Sequence, residues 1–214
     1  MIRASSIRLE FSDGHPALIG IENIDAINAA LSTVGAGVWP FDLSAAPPTI
    51  RTLVTQPDLS DADKTILLDH FLLPRERLME TLAAAGRDPN VAGGGVLETR
   101  VANQEYGYPQ LWTVRANTDY TRFDRFHVNV SHDGTGVDEV LQMLSGNGVV
   151  VQLQTPDGGV LTLRLDCPGA EQGWLITYNG GRPHIGSLSS AMPGTKLVVQ
   201  AFGPPVWSLS YDLP

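Results

Sequence analysis

Residues 138–165, with the sequence DEVLQMLSGNGVVVQLQTPDGGVLTLRL, have the pattern of consecutive short β-strands. Apolar residues recur at every second position or form short β-branched runs, and both patterns are typical of strands. Asn147-Gly148 and Asp157-Gly158-Gly159 interrupt these runs with residues that favour tight turns. The stretch is therefore predicted to form three strands, at residues 138–144, 148–154 and 160–165.

The same spacing of strands and turns extends over most of the second half of the chain. Further predicted strands are residues 96–102, 109–116, 125–130, 173–178, 183–188, 195–202 and 206–212. Short strands at this spacing indicate an all-β sandwich or barrel. At Gly93-Gly94-Gly95 the periodicity changes from helical to two-residue. We therefore predict a β-barrel over residues 93–214 and a mixed helical extension over residues 1–92 that packs on the barrel.

The N-terminal extension is predicted to be α/β, with about two to three helices. Apolar residues lie at helical spacing over residues 23–34. Ser60 followed by Asp63 resembles a capping box and starts a second helical segment. Pro74 within that segment fits a first helical position, so the segment is either a helical hairpin or one bent helix.

Two strands are also predicted in this extension. Residues 7–11 alternate between apolar and polar, and residues 38–43 have the composition of a strand. Pro40 cannot donate a main-chain hydrogen bond, which confines the second strand to the edge of a sheet. Pro47-Pro48 predicts a turn.

Composition excludes several classes of protein. The 214 residues carry a formal charge of −9, from 14 basic and 23 acidic residues, without a basic cluster. We therefore expect neither nucleic acid nor an anionic membrane as a partner. No apolar run approaches the length of a membrane helix, and the N-terminal residues lack a signal-peptide core. Cys167 is the only cysteine, so no intrachain disulfide forms, and a reducing, cytoplasmic location is expected.

Two histidines and one glutamate are the candidate metal ligands. Glu139 shares one predicted strand face with Leu141 and Met143, where a carboxylate is costly unless it meets a cation or a donor. His132 ends one predicted strand and His184 begins another. If these strand ends meet at a barrel mouth, they form the two-His, one-carboxylate set favoured by non-haem Fe(II) and suited to Zn, Mn or Ni.

Residues 132–146 and 173–184 resemble the two motifs of the cupin superfamily. The spacing from Gly134 to Glu139 and from Glu139 to Gly146 matches the first motif. Gly173, Gly181 and His184 fall at their places in the second motif, and the second histidine of the first motif is replaced by Gly134. His127, two residues before Asn129 on a predicted strand, is an alternative ligand.

The resemblance implies a cupin-like double-stranded β-helix barrel, a homodimer and a small-molecule ligand. The hypothesis that follows is a metal-dependent cupin enzyme acting on a small organic molecule, with an oxygenase suggested by the two-His, one-carboxylate set. One alternative is a non-enzymatic ligand-binding or structural protein of the same fold that has lost the metal site. A third is a helix-extended dimer that acts as a protein-interaction module.

Other polar residues near these motifs have simpler interpretations. Asp138 alternates away from Glu139 and is predicted to face solvent. Tyr178 or Arg164 is a candidate for orienting an acidic substrate. Cys167 has no histidine nearby in sequence and is not expected to act as a nucleophile.

Overall fold

Most of the described chain is β-structure, as predicted. The computed structural model describes residues 5–88, 95–96, 109–113, 125–130, 134–169, 171–187, 193–203 and 208–210. The strands within these residues are β1 (Ser6–Phe11), β2 (Leu18–Ile19), β3 (Gly37–Asp42), β4 (Gly95–Val96), β5 (Gln110–Thr113), β6 (Val128–Val130), β7 (Asp138–Gln154), β8 (Val160–Cys167), β9 (Gln172–Tyr178), β10 (His184–Ser187), β11 (Lys196–Gly203) and β12 (Ser208–Ser210). The helices are the 3-10 turn η1 (Ile21–Asn23) and the α-helices α1 (Ile24–Ser32), α2 (Pro48–Thr55), α3 (Asp61–Phe71) and α4 (Arg75–Ala84).

Strand β7 is the centre of the sheet. Its first part pairs with β9 and β11, and its second part pairs with β8 and β10. Every one of these pairings is antiparallel. Strand β7 therefore belongs to both halves of a sheet that curls into a half-barrel.

The predicted turn at Asn147-Gly148 is wrong, because β7 continues through it as one strand of 17 residues. The chain bends here, and the pairing with β8 shifts register between Gly146 and Val149. Gly146 has φ 106°, and a Cβ on it would lie 2.0 Å from Thr195 Oγ1. Only glycine permits both this backbone conformation and this close approach.

Strands from the N-terminal extension complete both halves of the sheet. Strand β1 pairs with β8, with Ile7 opposite Leu165, and β3 pairs with β9, with Val38 opposite Ile176. Among the described residues β3 has no second partner strand, so the predicted edge position of the strand containing Pro40 is confirmed. The predicted boundary residues Gly93 and Gly94 lie outside the described residues.

The described residues contain four α-helices, where the sequence indicated two to three. The capping box of α3 is confirmed: Asp63 N donates to Ser60 Oγ, and Ser60 N donates to Asp63 Oδ2. Helices α3 and α4 are separate, so the helical hairpin is the correct alternative, with Pro74 as the residue before α4. Helix α2 was missed because Pro48, interpreted as part of a turn, is its first residue. None of the helices in the described ranges is long and apolar enough to cross a membrane.

Two glutamines on the outer face of the sheet hold the α3–α4 hairpin. Leu73 N donates to Gln200 Oε1 at 2.8 Å, and Gln200 Nε2 donates to Leu73 O at 3.0 Å. Gln142 Nε2 donates to Phe71 O at 2.5 Å. Apolar contacts between α4 and the sheet are made by Leu78, Leu82, Val140 and Phe202. The outer face of the first part of β7 is therefore covered by helices.

A buried lysine joins α2 to the barrel. Lys196, the first residue of β11, is 1% exposed. Its Nζ donates to Val54 O at 2.9 Å and to Gly194 O at 3.1 Å. Burial lowers the pKa of Lys196 to about 8. The ammonium group binds the Val54 carbonyl near the C-terminus of α2, where the helix dipole favours a cation, and the charge of Asp58 opposes the lowering of its pKa.

Candidate functional site

Two buried histidines lie side by side inside the half-barrel. His127 and His184 exchange both main-chain hydrogen bonds, at 3.1 and 3.0 Å, so their strand ends run antiparallel. Their ring centroids are 4.4 Å apart. Nδ1 of His127 lies 2.9 Å from Arg125 O, and Nδ1 of His184 lies 2.8 Å from Arg182 O. A carbonyl only accepts, so each Nδ1 carries a proton, and in neutral His184 the lone pair therefore lies on Nε2.

The buried position of His184 fixes its charge state. Its side chain is fully buried, and burial together with the neighbouring His127 lowers its pKa to about 3. His184 is therefore neutral at neutral pH. A neutral imidazole whose other nitrogen is held by a carbonyl is the state in which histidine binds metals.

Glu139 places a carboxylate in the same buried region. The residue is 5% exposed, and Tyr178 Oη donates a short hydrogen bond to its Oε2. Burial and the adjacent Glu139 raise the pKa of Tyr178 well above its ordinary value, so the phenol stays protonated and keeps donating. The rings of Tyr178 and His184 are 4.8 Å apart. Glu139 and His184, predicted to converge, thus share one neighbour.

Asn129 connects the acid to the histidine. Its Nδ2 donates to Glu139 Oε1 at 3.2 Å and lies 3.4 Å from His184 Nε2, which carries the lone pair. Asn129 Oδ1 is buried and has no hydrogen-bond partner among the described residues. A buried amide oxygen without a donor is rare and lowers the free energy of unfolding, so Oδ1 is a candidate to interact with a bound group.

The turn before His184 holds Asn129 in place. Asn129 N donates to Gly180 O at 2.6 Å, and Val137 N donates to Asn129 O at 2.8 Å. A Cβ on Gly180 would lie 1.6 Å from Val137 O, so this position accepts no side chain. The glycine-rich turn recognised in the sequence therefore brings the two strand ends into close contact.

The prediction that Asp138 faces solvent is wrong. The Asp138 carboxylate is fully buried, and Arg87 donates to it through Nε at 3.2 Å and Nη2 at 3.3 Å. Gly180 N also donates to Asp138 Oδ1 at 3.3 Å. Burial raises the pKa of Asp138, and the Arg87 guanidinium opposes that rise. The outer face of β7 is closed here by the chain that follows α4.

The remaining predicted residues lie in different surroundings. His132 lies outside the described residues. Arg164 is exposed and pairs with Glu10 at 3.1 Å, away from the histidines. Burial raises the pKa of Cys167 to about 12, so its thiol stays protonated at neutral pH.

Sequence reasoning assigned no role to Asn129 itself and linked Tyr178 only to an acidic substrate. The two-residue spacing of His127 and Asn129 was the one available signal, since it places both side chains on the same strand face.

The donor types in the cluster fit a divalent cation, although no ready-made cage is present. Among the described ranges, no three His, Cys, Asp or Glu side chains are grouped closely enough to hold a metal ion. The chemistry of the set is nevertheless suitable, because two imidazoles, a carboxylate and an unpartnered amide oxygen are buried together. The described residues that could contribute donors to a metal site are His127, Asn129, Glu139 and His184.

The curled antiparallel sheet, with helices on its outer face, is a cupin-like double-stranded β-helix barrel. The predicted mostly β, cupin-like fold is therefore confirmed.

Among solved structures, the chain is similar to acireductone dioxygenase from Bacillus anthracis, a structure with a cadmium ion in its active centre. The TM-score is 0.61 at 15% sequence identity, and the match covers 98% of this chain and 100% of that chain. No protein-family profile matches the chain, and no curated protein sequence matches it.

Proposed function

We propose that this protein is a metal-dependent cupin enzyme that acts on a small organic molecule, with an oxygenase reaction as the specific hypothesis. The proposal rests on the buried cluster around His184. The ring centroids of His127 and His184 are 4.4 Å apart, and the NH2 group of Asn129 contacts both His184 and Glu139. The similar solved structure is a dioxygenase with a metal ion in its active centre, which supports the same class of chemistry.

The divalent metal, with Fe, Zn, Mn and Ni as candidates, would be held by Glu139 and His184 together with His127 or His132. Bound there, it would polarise an oxygen-bearing substrate or activate dioxygen. The protein's own contribution is preorganisation. Arg125 O and Arg182 O orient the two imidazoles, and burial excludes water from them.

Tyr178 would control the carboxylate. Its hydroxyl donates to Glu139 Oε2, so one oxygen of Glu139 is held while Oε1 faces Asn129. This arrangement limits the rotation of the carboxylate, and Oε1 could bind a cation once its hydrogen bond from Asn129 is broken. Tyr178 is therefore proposed as a positioning residue.

The test is the metal content of the full-length protein, purified without a histidine tag and measured by inductively coupled plasma mass spectrometry. About one divalent metal per chain is expected in the wild type, and His184→Ala should lose most of it. His70→Ala is the matched control, because His70 is exposed on α3. Absence of stoichiometric metal, or metal retained in His184→Ala, would refute the proposal.

A paired comparison identifies the second histidine ligand. His127→Ala and His132→Ala are measured under the same conditions, and the variant that loses metal marks the ligand. The contact between the His127 and His184 rings favours His127. Loss in His132→Ala alone would favour the ligand set predicted from the cupin motif.

One observation favours a second function, a metal-free protein that binds a small molecule. Asn129 donates a hydrogen bond to Oε1 of Glu139 and Tyr178 donates one to Oε2, so both carboxylate oxygens have a donor without a cation. Ligand-induced changes in tryptophan fluorescence, from buried Trp174, would persist in EDTA if this function is correct. They would require added metal if the enzyme proposal is correct. The homodimer remains a prediction, and size-exclusion chromatography with light scattering tests it.

A further inference from the structure

The NH2 group of Asn129 points at two atoms that a cation bound in this cluster would use. Its Nδ2 lies 3.2 Å from Glu139 Oε1 and 3.4 Å from His184 Nε2. These two atoms carry the lone pairs that a divalent cation would use. A cation that binds both atoms must therefore break the two contacts of the NH2 group.

The oxygen of the same amide, unlike its NH2 group, has no hydrogen-bond partner among the described residues. This oxygen, Oδ1, is also buried. The main chain of Asn129 is held at both sides, by Gly180 O at 2.6 Å and by Val137 N at 2.8 Å. The side-chain torsion between Cβ and Cγ is soft and roughly two-fold, so rotation about it exchanges the NH2 group and the oxygen.

We propose that Asn129 is a rotating ligand: without a cation its NH2 group bridges Glu139 and His184, and with a divalent cation its Oδ1 turns inward and coordinates the ion. This inference rests on the proposed metal-binding function. The donors would then be two imidazole nitrogens, one carboxylate oxygen and one amide oxygen. Such a mixed set is of the kind that binds Mn, Fe, Ni or Zn.

The experiment measures Zn²⁺ binding to metal-free, full-length protein by isothermal titration calorimetry. Asn129→Ala removes the oxygen and is expected to weaken Zn²⁺ binding about tenfold or more, by analogy with the loss of other residues that support a metal. Asn129→Asp keeps the shape and adds a charged oxygen, so it should bind Zn²⁺ at least as tightly as the wild type. Circular dichroism checks that each variant is folded.

Asn28→Ala is the matched control. Asn28 also makes two hydrogen bonds through its side-chain amide, both at 2.8 Å to the main chain of Val38, but it lies outside the cluster. It should change stability and leave the Zn²⁺ affinity unaltered.

A second readout follows the amide directly. The side-chain ¹⁵NH2 signals of Asn129 are assigned by their absence in Asn129→Asp. On addition of Zn²⁺ they should shift and lose protection from solvent exchange, because their hydrogen bonds to Glu139 and His184 are broken.

The outcomes separate the two proposals. If the wild type binds Zn²⁺ and His184→Ala does not, the metal site stands. If Asn129→Ala then binds Zn²⁺ as tightly as the wild type, or more tightly, Asn129 only blocks the site and the rotating-ligand proposal is overturned. If neither the wild type nor His184→Ala binds Zn²⁺, both proposals fail together.

Discussion

At the scale of single residues, Tyr178 explains how a carboxylate is tolerated inside the barrel. Glu139 sits among apolar neighbours on β7, where an unpaired carboxylate would be strongly destabilising. Hydrogen bonds from Tyr178 and Asn129 reach its two oxygens. The alternation of β7 predicted the inward direction of Glu139, but it carried no information about these donors.

Tyr178→Phe should lower the free energy of unfolding by about 1–3 kcal/mol, because Glu139 Oε2 loses a buried donor. Urea denaturation of metal-free protein, followed by tryptophan fluorescence, measures the change. The same substitution in a Glu139→Gln background should cost less, since the charge that strengthens the hydrogen bond is absent. An equal cost in both backgrounds would assign the effect to packing and not to the hydrogen bond.

Lys196 makes the stability depend on pH in a specific direction. Its pKa is lowered from an ordinary value near 10.5 to about 8, so between these values the unfolded chain binds a proton that the folded chain does not. The free energy of unfolding should therefore rise with pH across this interval, by at most about 3 kcal/mol.

Lys196→Met provides the reference for that measurement, because it fills the buried position without a titrating group. The difference in unfolding free energy between wild type and Lys196→Met should change in favour of the wild type from pH 7 to pH 9.5. A difference that stays constant over this range would show that the buried ammonium does not change its charge.

The burial of Asp138 could not be predicted from the two-residue alternation of the strand. The two-residue period correctly placed Asp138 and Glu139 on opposite faces, but the outer face is buried rather than solvated. Its partner, Arg87, lies 51 residues away in the sequence. Nothing in the local pattern could reveal that this strand face would be covered.

At the scale of elements, residues 138–154 were predicted as two strands separated by a turn and form the single bent strand β7. Asn-Gly pairs are typical of two-residue hairpin loops, and the same glycines also permit a bend or bulge. Residues 148–154 form a hairpin if they pair with residues 138–144, and they continue the strand if they pair with β8 and β10. The pairing of the whole sheet decides between these two structures. Helix α2 was missed for a similar reason. Pro47-Pro48 was interpreted as a turn, but proline is also common at the first position of a helix.

Gly146→Ala tests the bend. A Cβ at Gly146 would lie 2.4 Å from Thr195 Cα, in addition to the strain of a positive φ. Gly158→Ala is the matched control, since Gly158 also has a positive φ, 86°, but has open space around its Cβ position. We expect Gly146→Ala to lose at least about 2 kcal/mol more stability than Gly158→Ala in urea denaturation. Equal losses would mean that β7 can move away from Thr195 at no cost.

At the scale of the whole molecule, the strands of the first 92 residues are part of the barrel sheet. Turn chemistry and strand spacing predicted the mostly β architecture correctly, and the resemblance of residues 132–146 and 173–184 to the cupin motifs implied the cupin-like fold. They could not predict that β1 would pair with β8 or β3 with β9, because these partners are far apart in sequence and no short turn joins them. The organisation into residues 1–92 and 93–214 remains a prediction.

Residues 93–214 expressed alone should not unfold cooperatively. Without β1 and β3, strands β8 and β9 lose paired neighbours and expose main-chain donors and acceptors. Circular dichroism during urea denaturation measures the cooperativity, and mixing with residues 1–92 should restore it. A cooperative transition of residues 93–214 alone, at the wild-type midpoint, would show that the N-terminal strands are dispensable.

The buried ion pair of Arg87 and Asp138 has a mechanical consequence. Asp138 and Glu139 are adjacent in the chain. One peptide unit therefore joins the carboxylate that binds Arg87 on the outer face to the buried carboxylate of Glu139 on the inner face. A displacement of Arg87 would therefore act on the peptide that also carries Glu139. The segment that follows α4 and the interior carboxylate are thus connected through one peptide unit.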